Sequence, residues 1–192
     1  MPRVGVLALQ GDVREHVSML ESIGCEVVRV RQPAQLDDLS GLVVPGGEST
    51  TIARLLTTSG MRDELGARIL DGLPVLGTCA GLILLSRDVL DGRSDQWSYG
   101  AIDVAVRRNG YGRQIASFES PVDVEGVGTV AGVFIRAPKI ETWSSDVTVL
   151  ATHDHGDGAH PVLVRQGSVW GCSFHPELTS DDRVHRLFVD AL

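Results

Sequence analysis

The sequence predicts an α/β fold with three layers: a mostly parallel central sheet, helices on both of its faces, and an antiparallel extension. The first half of the chain alternates short apolar runs with helical patterns, which is typical of parallel strands joined by helices. The second half changes to short strand patterns separated by turn residues, which is typical of antiparallel strands or of edge strands that return to the main sheet. No linker, repeat or low-complexity segment interrupts the chain, so residues 1–192 are predicted to form a single domain.

Periodicity and turn residues place the elements of the first half. Buried strands are predicted where apolar residues run together, at residues 4–9, 26–30, 42–44 and 74–77. Helices are predicted where apolar residues recur every three or four positions, at residues 13–23, 50–56, 61–70 and 80–87. In the first helix Val13, Val17 and Leu20 share one face, and Gly24 provides a plausible end.

The second half contains further strand patterns and one helix. Strands are predicted at residues 101–107, 114–118, 121–125, 130–135, 147–152, 162–165 and 169–173. A helix is predicted at residues 183–192, because Val184, Leu187 and Phe188 recur at helical spacing. Residues 90–100 are rich in Asp, Gly and Ser, and we expect them to form a mobile loop.

Composition excludes several classes of protein. The chain has 192 residues and a formal net charge of −8, which argues against a protein that binds nucleic-acid phosphates. No apolar run reaches the roughly 18 residues of a membrane-spanning helix, and the N-terminal residues lack the features of a signal peptide, so no membrane partner is expected. Three scattered cysteines form no disulfide framework and favour a reducing, cytoplasmic setting, with Cys25 and Cys172 expected in the core.

A tight turn with a central cysteine follows the strand predicted at residues 74–77. Residues 77–81 read GTCAG, the pattern of a nucleophile elbow, in which a strand-to-helix turn exposes one side chain. A helix that starts behind Cys79 would favour its thiolate, and the backbone N–H of Ala80 would be available to an oxyanion. The pentapeptide fits a buried structural cysteine equally well, so the catalytic interpretation needs a base.

A histidine and a glutamate near the C-terminus supply a candidate base and its orienting group. His175 and Glu177 are two positions apart, and Pro176 disfavours helical geometry between them, so both side chains are expected on one side of an extended segment. Glu177 can then orient one imidazole nitrogen and leave the other for Cys79. An isolated His-Pro-Glu is more often a strand-end histidine beside a surface glutamate, but its combination with the elbow favours a triad.

A glycine pair follows the strand predicted at residues 42–44, where residues 45–50 read PGGEST. Ligands of open α/β sheets gather at the carboxyl ends of strands, and adjacent glycines let the backbone approach a ligand closely. This loop is predicted to supply a second oxyanion donor. The alternative is a phosphate-binding loop, which the absence of a following Lys and Ser or Thr makes the weaker interpretation.

In this order, the three motifs resemble those of the class I glutamine amidotransferases, which use a Cys-His-Glu triad. Within that family the chain is most similar to the glutaminase subunits of pyridoxal 5′-phosphate synthases. The similarity covers nearly the whole chain. It rests on VLALQG at residues 6–11, REH at 14–16, PGGESTT at 45–51, GTCAGL at 77–82, RN at 108–109, GRQ at 112–114, GVFIRAP at 132–138 and GCSFHPELT at 171–179.

The resemblance implies a role for each matching residue. Cys79 would be the nucleophile, with His175 and Glu177 completing the triad. The residues implied to contact glutamine are Gly46, Gly47, Glu48, Arg108, Ile135 and Arg136, and the oxyanion donors are the N–H groups of Gly47 and Ala80. An arginine suits this substrate because it can grip a carboxylate. The resemblance implies no cofactor and two partners, L-glutamine and a synthase subunit that consumes the ammonia.

Two other functional classes fit part of the sequence. A non-catalytic regulatory domain of the same fold would not need Cys79, His175 and Glu177 together, and a thiol hydrolase or protease would not need Arg108 and Arg136. Residues 153–160 read HDHGDGAH, which has the residue types of a metal site. The stretch is glycine-rich and lies between two predicted strands, so a solvated hairpin loop is expected there and no metal site is predicted.

Overall fold

The computed structural model describes residues 1–93, 95–110 and 117–192. The GRQ motif at residues 112–114 and the first residues of the strand predicted at 114–118 lie outside the described residues.

The described part of the chain contains twelve strands and five α-helices, together with two short 3-10 turns. The strands are β1 (Arg3–Leu7), β2 (Glu26–Val30), β3 (Gly41–Val44), β4 (Val75–Thr78), β5 (Ser86–Val89), β6 (Ile102–Arg107), β7 (Ser117–Val124), β8 (Gly128–Ile135), β9 (Lys139–Trp143), β10 (Thr148–Asp154), β11 (Ala159–Gln166) and β12 (Val169–Cys172). The helices are α1 (Val13–Ser22), α2 (Ser49–Thr58), α3 (Met61–Leu70), α4 (Ala80–Leu85) and α5 (Arg183–Val189). The 3-10 turns are Pro33–Leu36 and Pro176–Leu178.

The central sheet has the strand order β10-β11-β12-β4-β3-β1-β2. Its core is parallel, because β1 pairs in parallel with β2 and β3, and β4 pairs in parallel with β3 and β12. The strands β10 and β11 continue the sheet in antiparallel fashion. A mostly parallel sheet with an antiparallel extension is therefore confirmed.

Helices cover both faces of this sheet, which explains why its strands are apolar on both sides. On one face, Val6 of β1 packs in a core with Val17 of α1 and Phe188 of α5. On the other face, residues of α2, α3 and α4 pack in a second core against alternate residues of the same strands, such as Val44. The three-layer prediction is confirmed by these two cores.

The remaining strands form two smaller units beside the central sheet. The strands β5, β6 and β9 form a three-stranded sheet, and β7 and β8 form a hairpin. Two strands were predicted here, with a break at residues 119–120 before Pro121, but β7 runs through that break and Pro121 pairs with Ala131. Proline has no backbone N–H to donate. It is tolerated there because the hairpin has only two strands, so no third strand needs a hydrogen bond from that position.

Two further elements differ from the prediction. The helix predicted at residues 80–87 ends at Leu85, because Ser86 turns to an extended conformation and begins β5. The strand β9 was not predicted, because it follows Pro138 and carries charged residues within its short apolar pattern. None of the helices in the described ranges is long and apolar enough to cross a membrane.

This topology brings four chain segments to one edge of the sheet. The strands β12, β4, β3 and β1 are consecutive in the sheet and run in parallel, so their carboxyl ends meet at that edge. The segments that follow them contain the glycine pair, the elbow cysteine and the candidate base. A site at this edge obeys the general rule for open α/β sheets.

Candidate active site

Cys79 lies in a strained turn between β4 and α4. Its backbone has φ 48° and ψ −102°, a region that side chains rarely adopt and that is typical of a nucleophile elbow. The turn requires glycine on both sides, because a Cβ on Gly81 would lie 2.0 Å from the carbonyl oxygen of Val44 and one on Gly77 would lie 2.5 Å from the carbonyl carbon of Gly81. The sequence motif therefore has a steric cause.

His175 and Glu177 form a buried hydrogen-bonded pair. Nδ1 of His175 lies 2.7 Å from Oε1 of Glu177, and the two residues are 4% and 5% exposed. The segment is not extended as the sequence analysis assumed, because Pro176 starts a 3-10 turn with Glu177 in its middle. Proline favours that first helical position, and the tight turn brings the two side chains together.

Strand pairing holds the base beside the nucleophile. The strands β4 and β12 are adjacent and parallel, and the backbone N–H of Cys79 donates to the carbonyl oxygen of Cys172 over 2.8 Å. Three residues later, the N–H of His175 donates to Val133 of β8 over 2.8 Å. Because Nδ1 of His175 is taken by Glu177, Nε2 is left for the thiol of Cys79, and this nitrogen is buried with no hydrogen-bond partner among the described residues.

The surroundings of His175 favour the imidazolium. Burial alone would lower the pKa of His175, but interactions with Asp12, Cys79 and Glu177 outweigh it and raise the pKa to about 12. Asp12 contributes through Oδ2, which lies 3.3 Å from Nδ1. Burial also raises the pKa of Glu177, although its hydrogen bond to His175 acts against that rise. A thiolate beside this imidazolium would therefore be well compensated.

The glycine pair packs directly against the base. A Cβ on Gly46 would lie 2.4 Å from Cε1 of His175, so no larger residue fits without moving the ring. The N–H of Gly46 donates to Oγ1 of Thr78 over 3.1 Å, and its carbonyl oxygen accepts from the N–H of Asp12 over 3.2 Å. Gly47 follows with φ +152°, in the region that favours glycine.

A cavity of about 360 Å³ opens in front of Cys79. Of the residues that the sequence analysis singled out, its lining contains Gly47, Glu48, Cys79, Arg108, Ile135, Arg136 and His175. Gly46, Ala80 and Glu177 are not part of the lining, and the geometry above places Gly46 and Glu177 against His175 instead. The backbone carbonyl of Ile135 lies 3.9 Å from Sγ of Cys79.

Glu48 and Arg108 form the outer wall of this cavity. The carboxylate of Glu48 accepts hydrogen bonds from the N–H groups of Thr50 and Thr51, and so caps α2. Burial works against ionisation of Glu48, but these hydrogen bonds outweigh it and lower the pKa. Oε1 of Glu48 also lies 3.1 Å from Nη2 of Arg108. Glu48 thus holds an arginine at the cavity in addition to ending the loop.

Five further residues line this cavity that were given no role from the sequence, although three of them stand in the matching motifs: Gln10, Ser49 and Asn109 in those motifs, and Asp12 and Ile83 outside them. Oε1 of Gln10 accepts from the N–H of Glu48 over 3.0 Å, and Oγ of Ser49 is buried without a hydrogen-bond partner among the described residues. The signal for Gln10 and Asp12 was present, because both follow β1 at the sheet edge where ligands gather.

Asp12, His175 and Glu177 are also the one group in the described residues that could hold a metal ion, with ligand atoms within 4.8 Å of one another. Both carboxylates approach the same ring nitrogen of His175. A single proton on Nδ1, shared with these carboxylates, accounts for the cluster.

The remaining cysteines and histidines of the sequence analysis lie elsewhere. Cys25 and Cys172 are buried as predicted, and burial raises the pKa of the Cys172 thiol well above its usual value. His153 is the penultimate residue of β10 and His155 lies in the turn that follows; the two rings pack against each other at 4.3 Å and against Phe134. Burial lowers the pKa of His155 to about 4.

Comparison with known proteins gives consistent findings. The family model described as the SNO glutamine amidotransferase family matches residues 6–192. The pyridoxal 5′-phosphate synthase subunit PdxT of Frankia alni is 55% identical over 98% of this chain and 94% of its own length, and that of Mycobacteroides abscessus is 54% identical over 98% and 96%.

Solved structures extend this comparison to the fold. A crystal structure of a glutamine amidotransferase is 48% identical, covers 97% of both chains and superposes with a TM-score of 0.90. The structure of PurLQS from Thermotoga maritima is 17% identical over 99% of this chain and 98% of that chain, with a TM-score of 0.71. The second likeness concerns the fold alone.

Proposed function

The chain belongs to the SNO glutamine amidotransferase family, and on that premise we propose that it hydrolyses L-glutamine to L-glutamate and ammonia, and delivers the ammonia to a synthase subunit that makes pyridoxal 5′-phosphate. The single observation that carries the chemistry is the buried His175–Glu177 pair behind an elbow cysteine. The PdxT relatives supply the expectation about the product, since they are named as subunits of that synthase.

The first half of the reaction forms a thioester. The thiolate of Cys79 attacks the side-chain amide carbon of glutamine, and the negative charge moves onto the amide oxygen. The N–H groups of Ala80 and Gly47 receive this oxyanion. As the tetrahedral intermediate collapses, the imidazolium of His175 gives the proton on Nε2 to the leaving nitrogen, which departs as ammonia.

The second half restores the enzyme. The neutral imidazole of His175 takes a proton from water, and the resulting hydroxide attacks the thioester carbon. The carbon–sulfur bond breaks, glutamate leaves and Cys79 again carries a thiolate beside the imidazolium. Glu177 keeps the ring in one tautomer throughout, because Oε1 accepts a hydrogen bond from Nδ1–H of His175 over 2.7 Å and the proton stays on the ring.

The cavity wall is suited to an amino acid substrate. Arg108 and Arg136 are the cations at the lining, and either can pair with the α-carboxylate of glutamine. Glu48, Gly46 and Gly47 complete the set of groups that we assign to glutamine binding, together with the backbone of Ile135. Each step uses side chains and backbone groups of this chain, so the proposal needs no metal or organic cofactor.

The partner subunit is proposed to control the activity. The N–H of Gly47 is useful only if its peptide faces the oxyanion position, and a peptide between two glycines can turn at low cost. Docking of the synthase subunit would fix that peptide. A lost oxyanion donor typically costs about 10²–10³ in rate, so we expect a gain of that size on mixing the two subunits.

The test measures ammonia release from glutamine by the isolated chain and by the chain with its synthase subunit. We expect low activity alone, a gain of about 10²–10³ on mixing, and complete loss after labelling with an electrophilic glutamine analogue. Cys25→Ala is the matched control, because it removes a buried thiol from the start of β2 and should leave the activity intact. Full activity of the isolated chain would overturn the regulatory part of the proposal. Labelling by iodoacetamide but not by the analogue would favour a general thiol hydrolase.

A further inference from the structure

A buried row of polar side chains connects the triad to α5. Nδ1 of His16 in α1 lies 3.0 Å from Nε2 of His185 in α5. On its other side, Nε2 of His16 lies 3.0 Å from Oγ1 of Thr78 and 3.4 Å from Oε2 of Glu177. His16, Thr78 and His185 are all 0% exposed. The reaction described above uses none of these three side chains.

The second oxygen of Glu177 explains why such a group is needed. Oε1 is taken by His175, whereas Oε2 is buried and makes no hydrogen bond of ordinary geometry within the described residues. A buried carboxylate oxygen without a donor is costly and would favour protonation of Glu177. Nε2 of His16 lies 3.4 Å from this oxygen, close enough for an electrostatic contact but without the geometry of a hydrogen bond.

The contacts assign one tautomer to each ring. A carboxylate only accepts, and Oγ1 of Thr78 already accepts from the N–H of Gly46, so we assign the proton of His16 to Nε2, and Nδ1 then accepts from Nε2 of His185. Nδ1 of His185 is left without a proton, and it has no hydrogen-bond partner among the described residues. Burial lowers the pKa of His16 well below its ordinary value, helped by the nearby His185 and His175, and burial lowers the pKa of His185 to about 4. Both rings are therefore neutral near pH 7.

The same nitrogen of His16 also reaches the glycine loop through one intermediate. Oγ1 of Thr78 accepts from the N–H of Gly46 over 3.1 Å, and Thr78 directly precedes Cys79. Gly46 in turn leaves no room for a Cβ beside the ring of His175. A shift of Thr78 would thus move the loop against the base.

We propose that His16 is a positioning residue for the glutamine hydrolysis proposed above: its Nε2–H holds the free oxygen of Glu177 and the hydroxyl oxygen of Thr78, and so fixes the base and the glycine loop relative to each other. His185 supports this role by fixing the tautomer of His16. The inference rests on the proposed function for the reaction, but the contacts that carry it join His16 to Glu177, Thr78 and His185 and do not depend on glutamine.

The experiment compares His16→Leu with His16→Gln in the presence of the synthase subunit. Leucine removes the donor, whereas the side-chain amide of glutamine can place an N–H near the position of Nε2. A misplacement of catalytic groups by about 1 Å can cost about 10²-fold in rate, so we expect His16→Leu to lower kcat by about that factor with a much smaller change in KM. His16→Gln should recover most of the loss.

A pH profile separates positioning from a merely structural role. The titratable groups that face Glu177 are His175, Asp12, His16 and the buried thiol of Cys172, and only His16 is changed. Loss of a hydrogen-bond donor raises the pKa of a carboxyl group, here that of Glu177. The acidic limb of the plot of kcat against pH should therefore move to higher pH in His16→Leu and return to its wild-type position in His16→Gln. Ile69→Ala in α3 is the stability control, because it removes volume from the core of the opposite face and should leave the limb in place.

Unchanged kcat and an unchanged acidic limb in folded His16→Leu would overturn the proposal. If that variant does not fold, His185→Leu replaces it, because loss of the donor to Nδ1 frees His16 to adopt the other tautomer. An unaltered kcat in His185→Leu would count equally against the positioning role of His16. The rate of Cys79 alkylation by iodoacetamide, which needs no glutamine, is measured in every variant. One outcome would refute the proposed function and leave the positioning role of His16 intact. In that outcome the wild-type chain does not hydrolyse glutamine, yet alkylation of Cys79 at pH 7 is slower in His16→Leu and recovers in His16→Gln.

Discussion

The two walls of the active-site cavity are built in different ways. On the inner wall Cys79 and His175 are 7% and 4% exposed, and their positions are set by backbone hydrogen bonds and by glycines that no other residue can replace. On the outer wall Glu48 and Arg108 meet as a pair whose side chains are 44% and 19% exposed. Backbone contacts in an interior without water hold side chains tightly in position, whereas a partly solvated ion pair contributes little to stability and its side chains can move. We infer that the inner wall performs the chemistry and that the outer wall recognises the substrate.

The largest effects should come from the inner wall itself. Cys79→Ala and His175→Asn should each lower glutamine hydrolysis by about 10⁴-fold or more, because each group is needed to form and resolve the thioester. The double variant should be scarcely worse than either single one, since the members of such a unit are not additive. Glu177→Gln should be milder, because it keeps the shape of the pair.

Ammonium salt provides the control for these variants. Neither substitution removes much core volume, so pyridoxal 5′-phosphate formation by the complex should return when ammonium replaces glutamine. The readout is product absorbance with each nitrogen source. Near-normal use of glutamine by Cys79→Ala would show that the nucleophile is misassigned.

Glycine substitution tests whether the inner wall depends on close packing. Gly46→Ala would place a Cβ 2.4 Å from the ring of His175, so we expect a loss of about 10²–10³ in kcat as the base and the oxyanion loop move apart. Gly66→Ala in α3 is the matched control, because its Cβ would meet only the ring of Tyr99, at 3.3 Å. Equal kcat values for the two variants would contradict the assignment of the glycine loop.

The buried histidines should make the inner wall sensitive to acid. The pKa of His185 is about 4 in the folded chain and about 6.5 when unfolded, so the unfolded chain binds more protons and stability falls as pH drops through that window. The loss is about 3 kcal/mol. The raised pKa of His175 does not obscure this, because its contribution is fully present below pH 6.5 and is lost only at higher pH.

Urea unfolding between pH 4 and 7 measures this effect. His185→Gln should show a flatter dependence of the free energy of unfolding on pH than the wild-type chain does. Acidic groups outside the cluster affect both proteins alike, so the difference reports on His185 together with His16, whose pKa His185 helps to lower. Parallel curves would mean that His185 is protonated without cost in the folded chain.

The smallest effect is expected from the outer wall. Arg108→Gln should raise the KM for glutamine about tenfold with little change in kcat, since a charge-assisted hydrogen bond to a carboxylate contributes about 1.5–3 kcal/mol and the site is partly solvated. Arg107→Gln is the matched control, because Arg107 pairs with Glu141 instead and is not part of the cavity lining. A fall in kcat that exceeds the rise in KM would place Arg108 in the chemistry and remove the distinction between the two walls.

Sequence patterns predicted the part of the molecule that depends on local rules. The strands β1 to β4, the helices α1 to α3 and the elbow follow from periodicity and from glycine placement. The elbow and the glycine loop were found because they follow strands that end at the cavity, whereas Arg108, Ile135 and Arg136 came from the resemblance to the amidotransferases. The predicted break at residues 119–120 of β7 and the omission of β9 show where local rules fail, because the pairing partner decides whether such a segment is a strand.

The residues that were missed share a physical reason. His16 was quoted only as part of the REH motif and His185 was given no role, since nothing in either helix pattern reveals that the two rings meet 169 positions apart or that His16 approaches Glu177. Asp12 approaches His175 only because β1 ends two strands away from β4 in the sheet. Such contacts depend on strand order, which periodicity does not encode.

The hydrogen bond from Cys79 to Cys172 also constrains how this catalyst can vary. It makes the spacing of thiol and imidazole a property of the register between β4 and β12, and a register changes only in whole residues. One residue along a strand is about 3.3 Å and turns every side chain to the opposite face, so the next permitted spacing with the same facing differs by about 6.6 Å. Between these values the sheet offers no intermediate. Gradual refinement of the reaction is therefore confined to the loops and to the outer wall, while the distance at which the two reacting groups meet is fixed in discrete steps.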